Sequence, residues 1–206
     1  MVPPTRTVTA SPSPDTTVAP ETMPVGKGDV SPDDVVWAQG SILHVGRRSV
    51  DLAPAGIEAF VVVPGGVFVL HMGELWFTDL SRLRGTGLTN VTALGVTADA
   101  TRILVTGTKA GAAAAYAYDT GTGRAVSSEG LEPESAEERL RGPDRSGVAV
   151  SRGFELAGWA GATTFYGVTS RSGRPVAVVS CNVGTRSCTR LGTVTGPDPV
   201  VFGIGQ

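Results

Sequence analysis

The stretch GVTADATRILVTGTKAGAAAAYAYDTGTGRAV, residues 95–126, decides the predicted fold of this chain. It alternates short runs of β-branched and aromatic residues with turns that contain glycine or aspartate, which is the pattern of strands joined into hairpins. The same alternation continues through most of the sequence from Val35 onward. Helical periodicity is confined to EPESAEERLR, residues 132–141, where we expect one short surface helix. The chain is therefore predicted to be all-β.

Four segments repeat one plan, in which an apolar strand, a turn and a second strand follow one another. The segments are SILHVGRRSVDLA, ELWFTDLSRLRGTGL, AAYAYDTGTGRAVSS and AVVSCNVGTRSCTRL, and their turns open at His44, Asp79, Asp119 and Asn182. The turns are 35, 40 and 63 residues apart, and the last interval shortens to about 44 when the acidic insert 129–147 is left out. A period of about 40–45 residues that contains four strands is the size of a propeller blade. Before two of these hairpins, ALGVTADATRILVTG and GFELAGWAGATTFYGVTS each predict an inner strand, a tight turn and a second strand.

The stretch GVTADATRILVTG followed by AYAYDTGTGRAV is similar to repeats of WD-repeat-like and YVTN-type β-propellers. Those repeats pair a turn of the spdgrrlav type with a hairpin of the vyDl.tGr type. The resemblance covers most of residues 35–195 and is strongest over 94–126. It departs at Ala98-Asp99-Ala100, which lacks the proline and glycine of that turn, and no segment ends in Trp-Asp. The resemblance implies a small β-propeller-like array.

We expect the array to contain about four antiparallel blades within residues 35–206, because propellers have roughly four to eight blades. The first predicted blade, Val35–Leu52, shows only three strands. The terminal residues DPVVFGIGQ, 198–206, are therefore predicted to add its fourth strand, which closes the ring and removes an exposed edge. Two alternatives stay open. One is an open array that another chain completes, and the other is a β-sandwich, which also has many short strands with frequent turns.

Residues 1–34 differ in composition from the rest of the chain. They are rich in Pro, Thr, Ser and Val and show no hydrophobic period, so they cannot bury enough apolar surface to offset the entropy of ordering. We expect a disordered, semi-rigid stalk. The preferred interpretation is that the stalk follows a signal peptide or membrane anchor that is missing from this sequence, and the alternative is a disordered cytosolic tail.

The only two cysteines, Cys181 and Cys188, lie in VVSCNVGTRSCTRL, residues 178–191. With a hairpin loop of two residues or of four, they lie opposite each other at a Cα separation of about 4.5 or 5.5 Å, which a disulfide accepts. Because stable disulfides belong to oxidising compartments, the pair favours an extracytoplasmic location. Two buried free thiols are the alternative. Zinc is disfavoured because six residues intervene and the two histidines lie far away in sequence.

The overall charge and composition argue against several classes of partner. A formal net charge of −2 and a pI near 5.7 are unlike the basic footprint of a nucleic-acid-binding protein. No run of about 18 apolar residues is present to span a membrane, so membrane attachment is expected only through the missing anchor. No cofactor is predicted, because the glycines after Asp119 form a hairpin loop that no helix follows.

Catalytic chemistry is not predicted either. Only His44 and His71 are available as bases, and no GxSxG motif accompanies them. Aspartates at turns, such as Asp79 and Asp119, are expected to bond their own backbone two residues on. Trp37 and Trp159 are interpreted as core residues rather than as a sugar-stacking platform. Trp76 and Phe77 point to opposite faces of one strand, so one of the two is expected to lie in the core.

The leading hypothesis is a non-enzymatic, exported propeller-like domain on a stalk, which binds a protein or cell-envelope polymer through loops at one end of the ring. The insert 129–147 is the longest interruption and is the candidate contact element. Its charged residues are the candidate binding surface: Glu132, Glu134, Glu137, Glu138, Arg139 and Arg141. One alternative is a carbohydrate-active hydrolase or lyase with two carboxylates at the ring centre. Another is an extracytoplasmic sensor domain of a membrane-anchored protein.

Overall fold

The computed structural model describes residues 35–46, 48–53, 56–81, 83–121, 125–132 and 140–204. Over these residues the fold is all-β, as the sequence predicts. The predicted stalk, residues 1–34, and most of the predicted helix 132–141 lie outside the described residues. In chain order the strands are β1 (Val36–Gln39), β2 (Ile42–Val45), β3 (Arg48–Asp51), β4 (Ala59–Val63), β5 (Gly66–His71), β6 (Glu74–Thr78), β7 (Leu83–Val96), β8 (Arg102–Lys109), β9 (Ala112–Asp119), β10 (Ala125–Val126), β11 (Phe154–Ala160), β12 (Thr164–Arg171), β13 (Arg174–Asn182), β14 (Ser187–Thr193) and β15 (Val200–Phe202).

These described strands form three antiparallel sheets with the orders β15-β1-β2-β3, β10-β9-β8-β7-β6-β5-β4 and β11-β12-β13-β14. The second sheet divides at β7, because the first half of this strand pairs with β6 and the second half pairs with β8. The pairing partner changes from β6 at Leu88 to β8 at Thr89. The chain therefore consists of four units of four strands, in which β7 serves two units. We number them first to fourth in chain order.

The two ends of the described chain meet in the first unit. Strand β15 pairs with β1 through Trp37 opposite Phe202 and Gln39 opposite Val200. Beyond β15, the amide of Ile204 donates a hydrogen bond to the carbonyl of Phe60 in β4 at 2.8 Å. The prediction that a strand within residues 198–206 completes the first blade is confirmed by β15. The residues after β15 also connect the first unit to the second.

The repeat predicted from the sequence corresponds to one structural element. The four segments are the hairpins between the third and fourth strands of each unit: β2–β3, β6–β7, β9–β10 and β13–β14. The two preceding stretches are the hairpins β7–β8 and β11–β12, the first and second strands of their units. The curled sheets and this repeated strand order make the fold propeller-like rather than a two-layer sandwich.

A second repeat becomes visible only in the structure. In three units the turn between the second and third strands consists of a residue and a glycine that both have positive φ: Met72-Gly73, Ala110-Gly111 and Ser172-Gly173. Two positive φ angles are the signature of a type I′ turn, whose twist matches that of the flanking strands. The sequence hides this repeat because the first turn residue differs each time.

Hydrophobic clusters between the sheets hold neighbouring units together. Strand β1 is buried on both faces, since side chains alternate along a strand: Val36 packs towards the second unit and Trp37 towards the fourth. Strand β4 does the same, with Phe60 facing the first unit and Val61 facing the third. This double burial explains why β4 and the first three residues of β1 are apolar. Among the described residues, no hydrophobic cluster joins the third unit to the fourth.

One contact shows how closely the first and fourth units approach. A methyl group on Gly192 would lie 2.4 Å from the ring of Trp37, so only glycine leaves room for the indole there. The second strand predicted in ELWFTDLSRLRGTGL corresponds to the start of β7, which runs further than the segment, from Leu83 to Val96. The run LRGTGLTN contains two glycines and no apolar alternation, so its pairing with β6 depends on tertiary context.

The described residues include no helix with the length and hydropathy needed to cross a bilayer.

Candidate functional site

The predicted contact element, the insert 129–147, is described at both of its ends. Glu132 and Arg141, two of the six residues of the candidate binding surface, are exposed. The other four lie outside the described residues: Glu134, Glu137, Glu138 and Arg139. At the first end, the hydroxyl of Ser128 donates a hydrogen bond to the carbonyl of Ala115, which holds the chain against β9.

The last part of the insert and the three residues that follow it cross the outer face of the fourth unit, which is the face turned away from the first unit. We call residues 140–150 the strap. The indole of Trp159 donates a hydrogen bond to the carbonyl of Leu140 at 3.4 Å, and Val148 is buried against the ring of Phe165 and its neighbours. A methyl group on Gly142 would lie 2.0 Å from the Trp159 ring. The strap is therefore packed onto the sheet rather than extended into solvent.

Between the strap and the sheet lies a cleft of about 290 Å³, which we call the strap cleft. Its floor is aromatic: the Phe154 and Phe165 rings meet edge to face at 5.7 Å. The guanidinium of Arg145 lies over Phe165, with 5.7 Å between its Cζ and the ring centroid. The lining residues are Arg145, Ser146, Val148, Val150, Phe154, Leu156 and Phe165. The cleft combines an apolar floor with a cation, which suits a ligand that has an apolar part beside an anionic group.

The nearest acidic side chain in the strap is engaged in its own turn. Asp144 accepts hydrogen bonds from the amide of Ser146 at 2.8 Å and from its hydroxyl at 2.9 Å. These bonds to the carboxylate lower the pKa of Asp144, first through the backbone amide and then through the hydroxyl. Asp144 is therefore charged at neutral pH, and its oxygens face Ser146.

Charge is distributed unevenly along the chain. Residues 140–206 carry seven arginines against three acidic residues, although the whole chain has a net charge of −2. The arginines are Arg141, Arg145, Arg152, Arg171, Arg174, Arg186 and Arg190, and the acidic residues are Asp144, Glu155 and Asp198. The fourth unit and its strap are thus the basic part of an acidic protein.

The predicted disulfide belongs to the same face. Cys181 and Cys188 are bonded at 2.08 Å and are direct register partners in β13 and β14, with Cα atoms 4.0 Å apart. The connecting loop has four residues, 183–186, which is the longer of the two loops considered from sequence. Cys181 is buried with Trp159 and Phe165, and Cys188 contacts the carbonyl of Ala149 in the strap at 3.7 Å. The bridge therefore lies directly under the strap.

A second cleft, of about 460 Å³, lies where the start of β15 meets the starts of β4 and β6. It is lined by two carboxylates, Glu58 and Asp198, and by the imidazole of His71. Glu58 accepts a hydrogen bond from the amide of Met72 at 2.9 Å, and Nδ1 of His71 lies 2.9 Å from the carbonyl of Gly56. We call it the closing cleft. It brings two carboxylates to the same space, which is the feature that the hydrolase alternative requires.

The remaining sequence candidates have structural roles. Asp79 accepts a bond from the amide of Ser81, as predicted for a turn aspartate, and Asp119 forms an ion pair with Arg102 at 2.6 Å. Asp99 accepts bonds from Thr97 and Thr101, which lower its pKa to about 2. Among the residues that the structure describes, no three His, Cys, Asp or Glu side chains are grouped closely enough to hold a metal ion.

The aromatic candidates are mostly core residues. Trp37 and Trp159 are buried, as expected, and of Trp76 and Phe77 it is Phe77 that lies in the core while Trp76 is half-buried. His44 stacks on Trp37 with 3.8 Å between ring centroids. The sequence contains the signal for this pair, because a two-residue loop at Gly40-Ser41 places the two residues opposite each other in the β1–β2 hairpin. The strap cleft has no comparable local signal, since its walls come from residues about twenty positions apart.

Comparison with known proteins finds only remote likenesses, all among solved structures. No family model and no curated protein matches this sequence. Among solved structures, the chain is similar to a putative TolB from Agrobacterium tumefaciens, with 15% identity, a TM-score of 0.26, and coverage of 77% of this chain and 53% of that one. It is also similar to the tricorn protease, with 12% identity, a TM-score of 0.32, and coverage of 80% and 16%. TolB from Acinetobacter baumannii is 15% identical, with a TM-score of 0.19 and coverage of 80% and 31%.

The chain thus spans about half, or less, of each of these proteins. Their low scores carry no functional argument, so the site rests on the geometry of this chain alone.

Proposed function

We propose that this chain is an exported, non-enzymatic, propeller-like binding domain that recognises a protein or cell-envelope partner through the insert 129–147 and the strap. The observation that carries the proposal is the strap cleft. It presents a guanidinium beside an aromatic floor, with the Cζ of Arg145 5.7 Å from the Phe165 ring, on a sheet cross-linked by a disulfide. Such a rigid frame with an accessible loop is suited to recognition, because scaffolds position loops that bind.

Export is supported by the Cys181–Cys188 disulfide, since cytosolic thiols are kept reduced. The composition of residues 1–34 fits a stalk that holds the domain away from an anchor. The likeness of residues 94–126 to WD-repeat-like and YVTN-type repeats is consistent with a binding scaffold. The proposed contact surface consists of Glu132, Glu134, Glu137, Glu138, Arg139 and Arg141, which the strap joins to the fourth unit.

The test is site-specific photocrosslinking in the cells that produce the protein. A photoreactive residue replaces Glu132 or Arg141, both exposed, and in the matched control it replaces Glu74, which is exposed on β6. We expect discrete crosslinked species from the two insert positions, identified by mass spectrometry, and none from the control. Equal crosslinking from all three positions, or no crosslinking from the insert positions, would contradict the proposal.

One observation favours a second candidate, carbohydrate cleavage in the closing cleft, because Glu58, His71 and Asp198 line the same space. Two carboxylates that flank a glycosidic bond can act as acid and as base or nucleophile. The purified chain would then release reducing ends from cell-envelope polysaccharide, and Glu58→Gln would abolish the release. A lack of release by the unmodified protein eliminates this candidate and leaves the binding proposal standing.

A further inference from the structure

The strap cleft contains a cation that lacks an acidic partner. Arg145 stacks on Phe165, and among the described residues no carboxylate lies within ion-pair distance of its guanidinium. The adjacent Asp144 is occupied by Ser146. A guanidinium held over an aromatic ring keeps its donors at the ring edge available for a carboxylate, which it binds through paired hydrogen bonds.

The floor of the cleft leaves apolar surface accessible. Val150 is 42% exposed, and Phe154 and Leu156 are only partly buried, although they pack against the Trp159 and Phe165 cluster. The face is not covered by another sheet within the described residues, because the hydrophobic clusters of the fourth unit include only the first unit and the strap. An aliphatic or aromatic side chain placed there would lose contact with water.

Two further arginines make the same face basic. The Nε atom of Arg186 would lie 3.3 Å from a methyl group on Gly147, which places this side chain beside the strap. Arg190 is opposite Val179 and two residues from Cys188, so it lies on the cleft side of β14. An acidic ligand would approach a positive surface in a protein that is acidic overall.

We propose that the strap cleft binds an acidic peptide segment of a partner protein, with a Glu or Asp carboxylate on Arg145 and a neighbouring Leu or Phe side chain on the Phe154–Leu156 floor. This inference rests on the proposed function and specifies its partner. The volume of about 290 Å³ accommodates side chains rather than a folded surface. The cleft is lined by one guanidinium, and the floor of the cleft is apolar. This composition suits a peptide better than a nucleic acid, whose backbone carries a charge on every phosphate.

The probe is a fluorescein-labelled peptide, GSELEFSG, titrated with the complete chain and followed by anisotropy. Two matched peptides separate the contributions: GSQLQFSG lacks the charges and GSESESSG lacks the apolar side chains. We expect saturable binding of the first peptide. Binding of GSQLQFSG should be weaker by up to about fivefold, which corresponds to roughly 1 kcal/mol for an exposed ion pair, and binding of GSESESSG should be weaker because its apolar contacts are lost. Raising the salt concentration should weaken the first peptide more than GSQLQFSG.

Two protein variants locate the binding. Arg145→Gln removes the charge and should weaken binding of GSELEFSG by about two- to fivefold. Val150→Glu places a negative charge at an exposed position beside the acidic peptide and should weaken binding as well. Arg174→Gln, at the exposed β12–β13 turn of the same unit, is the matched control and should have no effect. Thermal melting of each variant verifies that the fold is retained.

Absence of saturable binding, equal affinity for the Glu and Gln peptides, or an unchanged affinity in Arg145→Gln would each overturn the inference. Binding of anionic lipid vesicles with Arg145 dependence, without binding of the peptide, would overturn it in favour of a membrane ligand. The proposed function is tested separately: if the crosslinks from Glu132 and Arg141 persist in the Arg145→Gln protein, binding through the insert stands and only the cleft assignment fails.

Discussion

The second and fourth units have the same four-stranded plan but are stabilised differently. The second unit lies between two neighbours, and both faces of β4 are buried from Phe60 to Val63. The fourth unit packs one face on the first unit, whereas in the described part of the chain its other face is covered only by the strap. Its outer strand β14 is mostly exposed, and the disulfide joins this strand to β13. The covalent bond is found where packing from a neighbouring sheet is lacking.

This contrast indicates a division of roles. A unit buried on two sides gains its stability from apolar area, at about 25 cal/mol per Å² removed from water, and has no free face for a ligand. A unit with one partly covered face needs another restraint and keeps a cleft. The strap cleft is therefore a consequence of the same arrangement that makes the disulfide useful.

The largest expected difference between the two units concerns aromatic core residues. Phe77 is 2% exposed and its ring lies 4.9 Å from that of Phe68, so Phe77→Ala should lower the free energy of unfolding by about 3–5 kcal/mol. Phe154→Ala, at the partly open cleft, should cost only about 1–2 kcal/mol. Urea denaturation measures both, with Val126→Ala at an exposed position as the control. Equal losses from the two phenylalanines would remove the distinction between the units.

The second prediction concerns the disulfide. Replacing Cys181 and Cys188 by alanine should lower the free energy of unfolding by about 2–3 kcal/mol, because the closed loop is short. Hydrogen exchange should accelerate in β13 and β14 and remain unchanged in β4–β6. Thiol titration of the unfolded, unreduced protein should find no free thiol. Two free thiols, or an acceleration spread evenly over the molecule, would refute the account of the fourth unit.

The smallest effect is a pH dependence at the seam between the first and fourth units. Burial beside Trp37 penalises the imidazolium and lowers the pKa of His44 from 6.5. Protons then bind the unfolded chain more tightly than the folded one, so stability should fall as the pH drops below 6.5 and continue to fall until the folded-state pKa is passed. Melting temperatures from pH 7.5 to 5.5 should show this slope. His44→Gln should flatten this slope, and an unchanged slope in His44→Gln would contradict its assignment to His44.

The sequence predicts the hairpins well because their signals are local. Asp79 and Asn182 each place a side-chain oxygen on an amide two residues ahead, and such turns can be recognised from residue type alone. The disulfide follows from similar reasoning, since spacing and register coincide at Cys181 and Cys188. The contribution of the C-terminal strand to the first unit is also predictable, because a unit with three strands lacks one.

The strap cleft is not predictable in this way. The sequence identifies the insert as an interruption, but the contact of Leu140 with Trp159 joins residues nineteen positions apart through packing alone. Likewise, the sequence predicts a second strand in ELWFTDLSRLRGTGL but does not predict that this strand continues to Val96 and pairs with both β6 and β8. Both cases depend on tertiary contacts, which override weak local preferences.

The most direct test of the fold is a nuclear Overhauser measurement across the two ends of the chain. Strand pairing places Trp37 opposite Phe202 and Ala38 opposite Val201, so their backbone protons should show cross-strand contacts in the isolated protein. If β1 and β15 pair within one chain, these contacts should be present at all protein concentrations, and the amides of β1 should exchange slowly. Backbone contacts of Phe202 with any strand other than β1, or contacts that appear only as the concentration is raised, would contradict pairing of the two ends within one chain.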